Sequence, residues 1–126
     1  MTTIHSILLV EDDIDLCESI KELLEGEGFS VRAANNGRQG MQLLNEQAAD
    51  LVVSDIFMPE MDGLEFITLL RQRFQKIKIL IMSGGARNLQ ADYLFMAKSL
   101  GADAIMKKPF SSAKLLAEIA NLSRMA

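Results

Sequence analysis

The chain has 126 residues, of which 49% are hydrophobic and 24% charged, so its size and composition are those of one soluble globular domain and exclude a disordered or membrane-embedded protein. The formal net charge of -4 disfavours direct binding to nucleic acid, because contacts to phosphates depend on clustered Lys and Arg. The sequence has neither a signal-peptide pattern nor an apolar run near the roughly 20 residues that a membrane helix needs, which predicts a cytoplasmic protein with no membrane partner.

Apolar runs alternate with helical patterns along the whole chain. In chain order they predict a strand at 7–10, a helix over 16–24, a strand at 30–34, a weaker helix over 38–46, a strand at 51–54, a helix over 64–74, a strand at 78–82, a weaker helix over 91–100, a strand at 104–107 and a helix over 115–122. Gly26 and Gly28 follow the first helix, so we interpret them as helix-ending residues and not as a dinucleotide-binding loop. Cys17, the only cysteine, excludes an internal disulfide and is expected in the core.

This alternation predicts an α/β fold, in which right-handed crossovers produce a parallel sheet with helices on both faces. We expect a flavodoxin-like, doubly wound sheet of five strands in the order 2-1-3-4-5, with five helices, as a single domain over residues 1–126. In that order the chain reverses direction between the first and third strands, and ligands bind beyond the carboxyl ends of those strands. The chemistry should therefore follow Val10 and Ser54.

Acidic residues follow both of these strands. Glu11, Asp12 and Asp13 come after the first strand, and Asp55 comes after the third. Carboxylates that share a crevice repel one another unless a cation lies among them, and Mg²⁺ prefers oxygen ligands of this kind. We interpret Asp12 and Asp55 as candidate magnesium ligands with Glu11 nearby, whereas Asp13 is better explained as the cap of the first helix.

The other strand ends carry complementary groups. Ser83 follows the fourth strand, and Lys108 follows the fifth, directly before Pro109. A carboxylate can act as a nucleophile toward phosphorus, and the transfer is then helped mainly by positioning and charge neutralisation. The ion, the ammonium group and the hydroxyl group could each bind one phosphoryl oxygen.

These residues resemble the receiver domain of response regulators over essentially the whole chain. The resemblance rests on five features, which occur in the family's order and at nearly its spacing: an apolar strand before Glu11-Asp12, Asp55 with Met58-Pro59, Asp62-Gly63, Ser83 after a strand, and Lys108-Pro109-Phe110.

The resemblance implies a function and a role for each of these residues. Asp55 would be the phosphoacceptor, with Asp12, Asp55 and the backbone carbonyl of Phe57 as Mg²⁺ ligands and Glu11 acting through water. Lys108 would pair with the carboxylate and then with the phosphoryl group, to which Ser83 would also bind, and the Lys108–Pro109 peptide bond would be cis. Such a domain assists its own phosphorylation and dephosphorylation but is not an enzyme with a substrate of its own.

The resemblance also implies partners. The phosphodonor would be a sensor histidine kinase or a histidine phosphotransfer protein, and the signal would reach a downstream protein target that the sequence does not name. That signal would leave through the fourth helix, fifth strand and fifth helix, where a homodimer could also form. Only residues 123–126 follow the last predicted helix, so we expect no output domain in this chain.

Two departures from the family pattern bear on signalling. Ile105 stands where most members have Tyr or Phe, and the stretch after Ser83 is a few residues longer and begins with Gly84-Gly85. Because glycine places few limits on the backbone, we predict that phosphorylation draws Ser83 inward and reorders residues 84–96, which include Tyr93 and Phe95.

Three alternative functions fit these residues less well than a receiver domain does. A flavodoxin-like flavin carrier is disfavoured, because the acidic residues 11–15 would repel the flavin phosphate. A haloacid dehalogenase-type phosphatase would use Asp13 and Asp15, but it would leave the pairing of Asp55 with Lys108 unexplained. A receiver-shaped module that is never phosphorylated would not need the complete acidic set.

Overall fold

Five strands alternate with five helices in this protein, for which a computed structural model describes residues 3–58, 60–83 and 90–124, with side chains described from residue 95 onward in the fourth helix. The elements are β1 (Ser6–Val10), α1 (Ile14–Gly26), β2 (Ser30–Ala34), α2 (Gly37–Glu46), β3 (Leu51–Asp55), α3 (Gly63–Arg73), β4 (Lys78–Ser83), α4 (Gln90–Leu100), β5 (Ala104–Lys107) and α5 (Ser112–Arg124). The strands form one parallel sheet in the order β2-β1-β3-β4-β5. The predicted doubly wound α/β fold is therefore confirmed.

The sheet has a hydrophobic layer on each face, because successive side chains of a strand point to opposite sides. One layer joins the sheet to α1 and α5 and includes Ile7, Leu9, Leu24, Leu51, Val53, Leu80, Leu115 and Ile119. The other joins it mainly to α2 and α3 and includes Leu8, Val10, Leu44, Val52, Phe66, Ile67, Ile79 and Ile81. The central strands are buried on both faces, which explains their uninterrupted apolar sequences.

The start of α1 agrees with the sequence prediction, and Gly28 follows the helix as predicted, but Gly26 is the last helical residue and does not follow the helix. Asp13 is the N-cap, and its side chain accepts a hydrogen bond from the Leu16 N–H at 3.2 Å. Gly28 follows the helix with φ of 99°, a left-handed conformation that glycine adopts without strain. Cys17 is buried in the layer between α1 and the sheet, as expected.

Two strands extend one residue further at their carboxyl ends than predicted, and β1 begins one residue earlier, at Ser6. Asp55 and Ser83 were expected to follow β3 and β4, but they are the last residues of those strands and pair in register with Met82 and Lys107 respectively. Because strand pairing fixes their backbones, the sheet itself holds both polar residues. Residues 84–89, within the segment predicted to reorder, and Pro59 lie outside the described residues, as does the side chain of Tyr93.

Candidate phosphoacceptor and metal site

Asp55 ends the central strand β3 and is held by two neighbours. Its Oδ1 accepts a hydrogen bond from the Phe57 N–H at 3.1 Å, and its Oδ2 accepts one from Lys108 Nζ at 2.9 Å. The residue is buried apart from a small fraction of its surface. The carboxylate is thus fixed in orientation at the carboxyl edge of the sheet, where the fold predicts ligand binding.

Glu11 follows β1 and is more deeply buried than Asp55, with 1% of its surface exposed. Its Oε1 accepts a hydrogen bond from Lys108 Nζ at 2.7 Å, and its Oε2 accepts one from the Asp13 N–H at 3.1 Å. Burial raises the pKa of Glu11 above the ordinary value of 4.5, although the hydrogen bonds from Lys108 and Asp13 oppose that rise. The neighbouring Asp12 is exposed, so it offers its carboxylate to the solvent side of the pocket.

Lys108 joins the two buried carboxylates. Burial alone would lower the pKa of the ammonium group, but the hydrogen bonds to Glu11 and Asp55 outweigh burial and raise the pKa above 10.5. Its backbone N–H donates to the Ser83 carbonyl at 2.6 Å, and the following peptide bond to Pro109 is cis, as the resemblance implied. The sequence predicted the contact with Asp55, whereas the contact with Glu11 was not foreseen.

Three carboxylates at this edge form a group able to hold a cation. One oxygen from each of Glu11, Asp12 and Asp55 lies within 4.8 Å of the others. Because Mg–O distances are about 2.1 Å, ligand oxygens around Mg²⁺ are about 3–4 Å apart. The carboxylate oxygens of this group would need to move only slightly closer to one another to bind the ion. The oxygen donors, their charge and their spacing all fit a hard divalent cation.

Ser83 has a buried hydroxyl oxygen without a hydrogen-bond partner in the described part of the chain. Only 1% of the residue is exposed, and its carbonyl is already bonded to Lys108. An unpaired buried hydroxyl costs free energy, about 1–3 kcal/mol in proteins, unless a partner is supplied. Ser83 lies at the end of β4, next to β3, so an oxygen atom of a group bound to Asp55 would be a suitable hydrogen-bond partner for its hydroxyl.

Ile56 and Gly63 make a close contact that the sequence did not show. The Gly63 N–H donates to the Ile56 carbonyl at 2.7 Å, and a Cβ at position 63 would lie 2.6 Å from Ile56 Cα. Asp62 caps α3 through a 2.9 Å hydrogen bond from the Glu65 N–H. Glycine is therefore required where α3 begins against the backbone that leads from Asp55 to Phe57.

A second concave region lies far from these residues. It is an open cleft of about 960 Å³ at the amino edge of the sheet, lined in part by Asp50, Arg71, Lys78 and Asp103. None of the candidate site residues lines it, so the acidic pocket and this cleft are separate. No helix in the described ranges is long and apolar enough to cross a membrane.

Comparisons with known proteins agree with this geometry. The family model described as response regulator receiver domain matches residues 7–120. The transcriptional regulatory protein CpxR of Escherichia coli (strain K12) is 38% identical over 120 residues, which are 95% of this chain and 50% of that protein. The probable transcriptional regulator ycf29 of Porphyra purpurea is 35% identical over 118 residues, 94% of this chain and 56% of that protein. The chain thus spans about half the length of these curated relatives.

Solved structures show the same architecture. A receiver domain protein (CheY-like) from Methanospirillum hungatei JF-1 superposes with a TM-score of 0.89 at 27% identity, covering 98% of this chain and 96% of that one. The chemotaxis response regulator CheY4 of Vibrio cholerae gives 0.85 at 25% identity, covering 95% and 99%.

Proposed function

Because this chain belongs to the response regulator receiver domain family of two-component signalling, we propose that it accepts one phosphoryl group on Asp55 in a Mg²⁺-dependent reaction. The observation that carries the proposal is that Asp55, at the end of β3, belongs to the group of three carboxylates and also accepts a hydrogen bond from Lys108. We also propose that residues 1–126 act as a single receiver domain.

The transfer forms one bond and breaks another. A carboxylate oxygen of Asp55 attacks the phosphorus of a phosphohistidine, the new P–O bond replaces the P–N bond, and the imidazole nitrogen leaves with the electron pair. The Phe57 N–H and the Lys108 ammonium orient the two oxygens of Asp55 before the attack. Catalysis here is positioning together with charge neutralisation.

A bound Mg²⁺ would supply charge neutralisation for the phosphoryl oxygens and for the carboxylates around them. Asp12, Asp55 and the Phe57 carbonyl would hold it directly, and Glu11 would act through water. Glu11 has a second role in this geometry, because its carboxylate holds the Lys108 ammonium beside Asp55. After transfer, Lys108 would bind one phosphoryl oxygen, and the Ser83 hydroxyl would donate to another.

The partner classes follow from the same chemistry. A sensor histidine kinase or a histidine phosphotransfer protein would supply the phosphoryl group, and a downstream protein would bind the altered surface. Ile14 begins α1 directly after the acidic residues, and Phe57 follows Asp55; both side chains are exposed, at 64% and 41%. These apolar groups would contact a protein donor at the rim of the pocket.

The phosphatase alternative fits the observed contacts less well. Its nucleophile would be Asp13 or Asp15, but Asp13 is occupied as the cap of α1, and Asp15 is exposed on the first turn of that helix. Neither residue contacts Lys108, whose ammonium is bonded to Glu11 and Asp55. The contacts of the Lys108 ammonium group therefore support chemistry at Asp55 and not at Asp13 or Asp15.

The test uses acetyl phosphate with Mg²⁺ and measures the intact mass of the whole chain. The wild type should gain one phosphoryl group, Asp55→Asn should gain none, and the control Asp15→Asn should label normally, because Asp15 lies on the exposed side of α1. Labelling of Asp55→Asn at the wild-type level would refute the assignment. Continuous release of phosphate by Asp55→Asn would favour a phosphatase.

A further inference from the structure

Helix α4 is weakly buried where its side chains are described. From Phe95 to Leu100, Ala97 is the one buried residue, whereas Phe95 is 74% exposed and Met96 and Leu100 are also exposed. Burying a single alanine contributes little hydrophobic free energy compared with a Leu or Phe side chain. Other contacts must therefore hold this part of the helix in place.

Polar contacts hold the carboxyl-terminal end of α4. Gly101 follows the helix with φ of 123°, and its carbonyl accepts hydrogen bonds from Arg71 Nε at 3.0 Å and Arg71 Nη2 at 2.7 Å. Arg71 Nη2 also forms a 2.7 Å ion pair with Asp103 Oδ2. A Cβ at position 101 would lie 2.8 Å from Arg71 Nε, so the close approach requires glycine.

Arg71 itself is anchored to the rigid part of the fold. Its Nη1 donates to the carbonyls of Gln75 and Ile77 at 3.2 and 2.6 Å, just before β4. The Asp103 carboxylate that it contacts also accepts a 2.8 Å hydrogen bond from the Ile79 N–H within β4. All five N–H groups of the guanidinium are thus used to join α3, β4 and the end of α4.

We propose that Arg71 fixes the carboxyl-terminal end of α4 as a pivot, so that the signal from Asp55 swings the amino-terminal end of the helix. The proposal rests on the proposed function, since the force comes from a phosphoryl group that captures Ser83. Ser83 precedes α4 in the chain, so its movement acts on the end of the helix opposite Gly101.

The pivot determines how far each part of α4 moves. At a rise of 1.5 Å per residue, position 90 lies about 16 Å from Gly101 and Phe95 about 9 Å. A rigid swing therefore displaces position 90 almost twice as far as Phe95, and Leu100 hardly at all. The exposed apolar residues Phe95 and Met96 would change position while the turn at Gly101 stays in place.

Hydrogen exchange of the full chain without ligand tests the fixed end. The N–H groups of Gly101 and Ala102 donate to the carbonyls of Lys98 and Ala97 at 3.1 and 3.0 Å, so their exchange reports the opening of this turn. Arg71→Ala should speed their exchange by about tenfold relative to Arg73→Ala, an exposed arginine two residues away on the same helix.

A stability control and a substitute variant complete this experiment. Exchange at Val53 in the core strand β3 corrects for any loss of global stability. If Arg71→Ala does not fold, Arg71→Lys replaces it, because lysine keeps the charge but cannot span the same carbonyls. Equal exchange at Gly101 and Ala102 in the Arg71 and Arg73 variants would overturn the pivot.

Backbone amide shifts with Mg²⁺ and beryllofluoride, a phosphoryl mimic, test the swing. In the wild type the shifts should be large at residues 90–96 and small at 98–103, and in Arg71→Ala they should spread into 98–103. Large wild-type shifts at 98–103, together with normal shifts at Asp55, would overturn the pivot alone. Unchanged shifts at Asp55 and Asp12 would overturn the proposed function and the pivot with it.

Discussion

Replacing Lys108 with Ala removes the cation that lies between two buried carboxylates. Lys108 Nζ donates to Glu11 at 2.7 Å and to Asp55 at 2.9 Å. Hydrogen bonds to charged groups contribute about 1.5–3 kcal/mol each, and loss of one partner of a buried ion pair costs about 3–5 kcal/mol. Water can enter from the exposed Asp12 side, so we expect Lys108→Ala to lower the free energy of unfolding by about 2–4 kcal/mol without metal.

Magnesium should reverse much of this loss. Mg²⁺ neutralises the same carboxylates, and Lys108→Ala removes an ammonium group that would repel the metal ion. Binding at 100 times the dissociation constant stabilises a folded protein by about 2.7 kcal/mol. Stabilisation by Mg²⁺ should therefore be at least as large in Lys108→Ala as in the wild type, so that the two proteins become closer in stability.

The effect of pH has a definite sign. Lys108→Ala removes a hydrogen bond that lowers the Glu11 pKa, while burial, which raises it, remains. A carboxyl group whose pKa is higher in the folded state binds more protons when folded, so the free energy of unfolding falls as pH rises from the unfolded pKa through the folded pKa. The loss in Lys108→Ala should thus be larger at neutral pH than near the ordinary glutamate pKa of 4.5.

Urea unfolding followed by far-UV circular dichroism measures these differences in the free energy of unfolding. Tryptophan fluorescence cannot be used, because the chain has no Trp. Lys107→Ala is the matched control, because Lys107 is exposed and should change stability by no more than about 0.5 kcal/mol. Equal stability of the Lys107 and Lys108 variants without metal would refute the proposed electrostatic role. A smaller stabilisation of Lys108→Ala by Mg²⁺ than of the wild type would refute the neutralisation argument.

Three further predictions concern other residues. Asp12→Asn should weaken Mg²⁺ binding at least tenfold in calorimetry and barely change metal-free stability, since Asp12 is exposed; wild-type affinity would count against it as a ligand. Burial raises the Asp50 pKa, but hydrogen bonds from residues 5 and 6 outweigh burial and lower the pKa below 3.8. The stabilisation by the Asp50 carboxylate is therefore present above pH 3.8 and is lost as pH falls through the lowered pKa. Asp50→Asn should lower the free energy of unfolding by about 1–2 kcal/mol at neutral pH and make stability depend less on pH in the acid range. Gly63→Ala should slow labelling of the folded protein by acetyl phosphate, because the added Cβ pushes against Ile56, the residue next to Asp55. An unchanged labelling rate would show that the contact between Gly63 and Ile56 does not position Asp55.

The sequence predicted the fold well, because each central strand is buried on both faces and is therefore apolar throughout. Leu8 and Leu9, adjacent in β1, belong to the two opposite layers. Helix α4 was one of the two helices predicted from a weaker pattern. Among its side chains from residue 95 to 100, Ala97 is the one that is buried, so this part of the helix adds little to the core.

The site residues were predicted as a set, but several contacts between them were not. Sequence order places Glu11, Asp55 and Lys108 at one edge of the sheet, yet it does not show that one ammonium group bonds both carboxylates. The bond between Lys108 and Glu11 joins residues 97 positions apart, so no local pattern records it. The contacts of Arg71 were also missed, because its acceptors are mostly backbone carbonyls, which carry no sequence signal.

The burial of Cys17 makes its thiol a reporter of how often the protein opens beneath α1. It is the only cysteine, it lies beneath α1, and burial raises the pKa of its thiol, so an alkylating reagent should react slowly with the folded chain. The rate of thiol modification then measures how often the layer between α1 and the sheet opens. The same shielding lets a second cysteine, introduced at an exposed position such as Phe95, carry a spin label or fluorophore without first removing the native one.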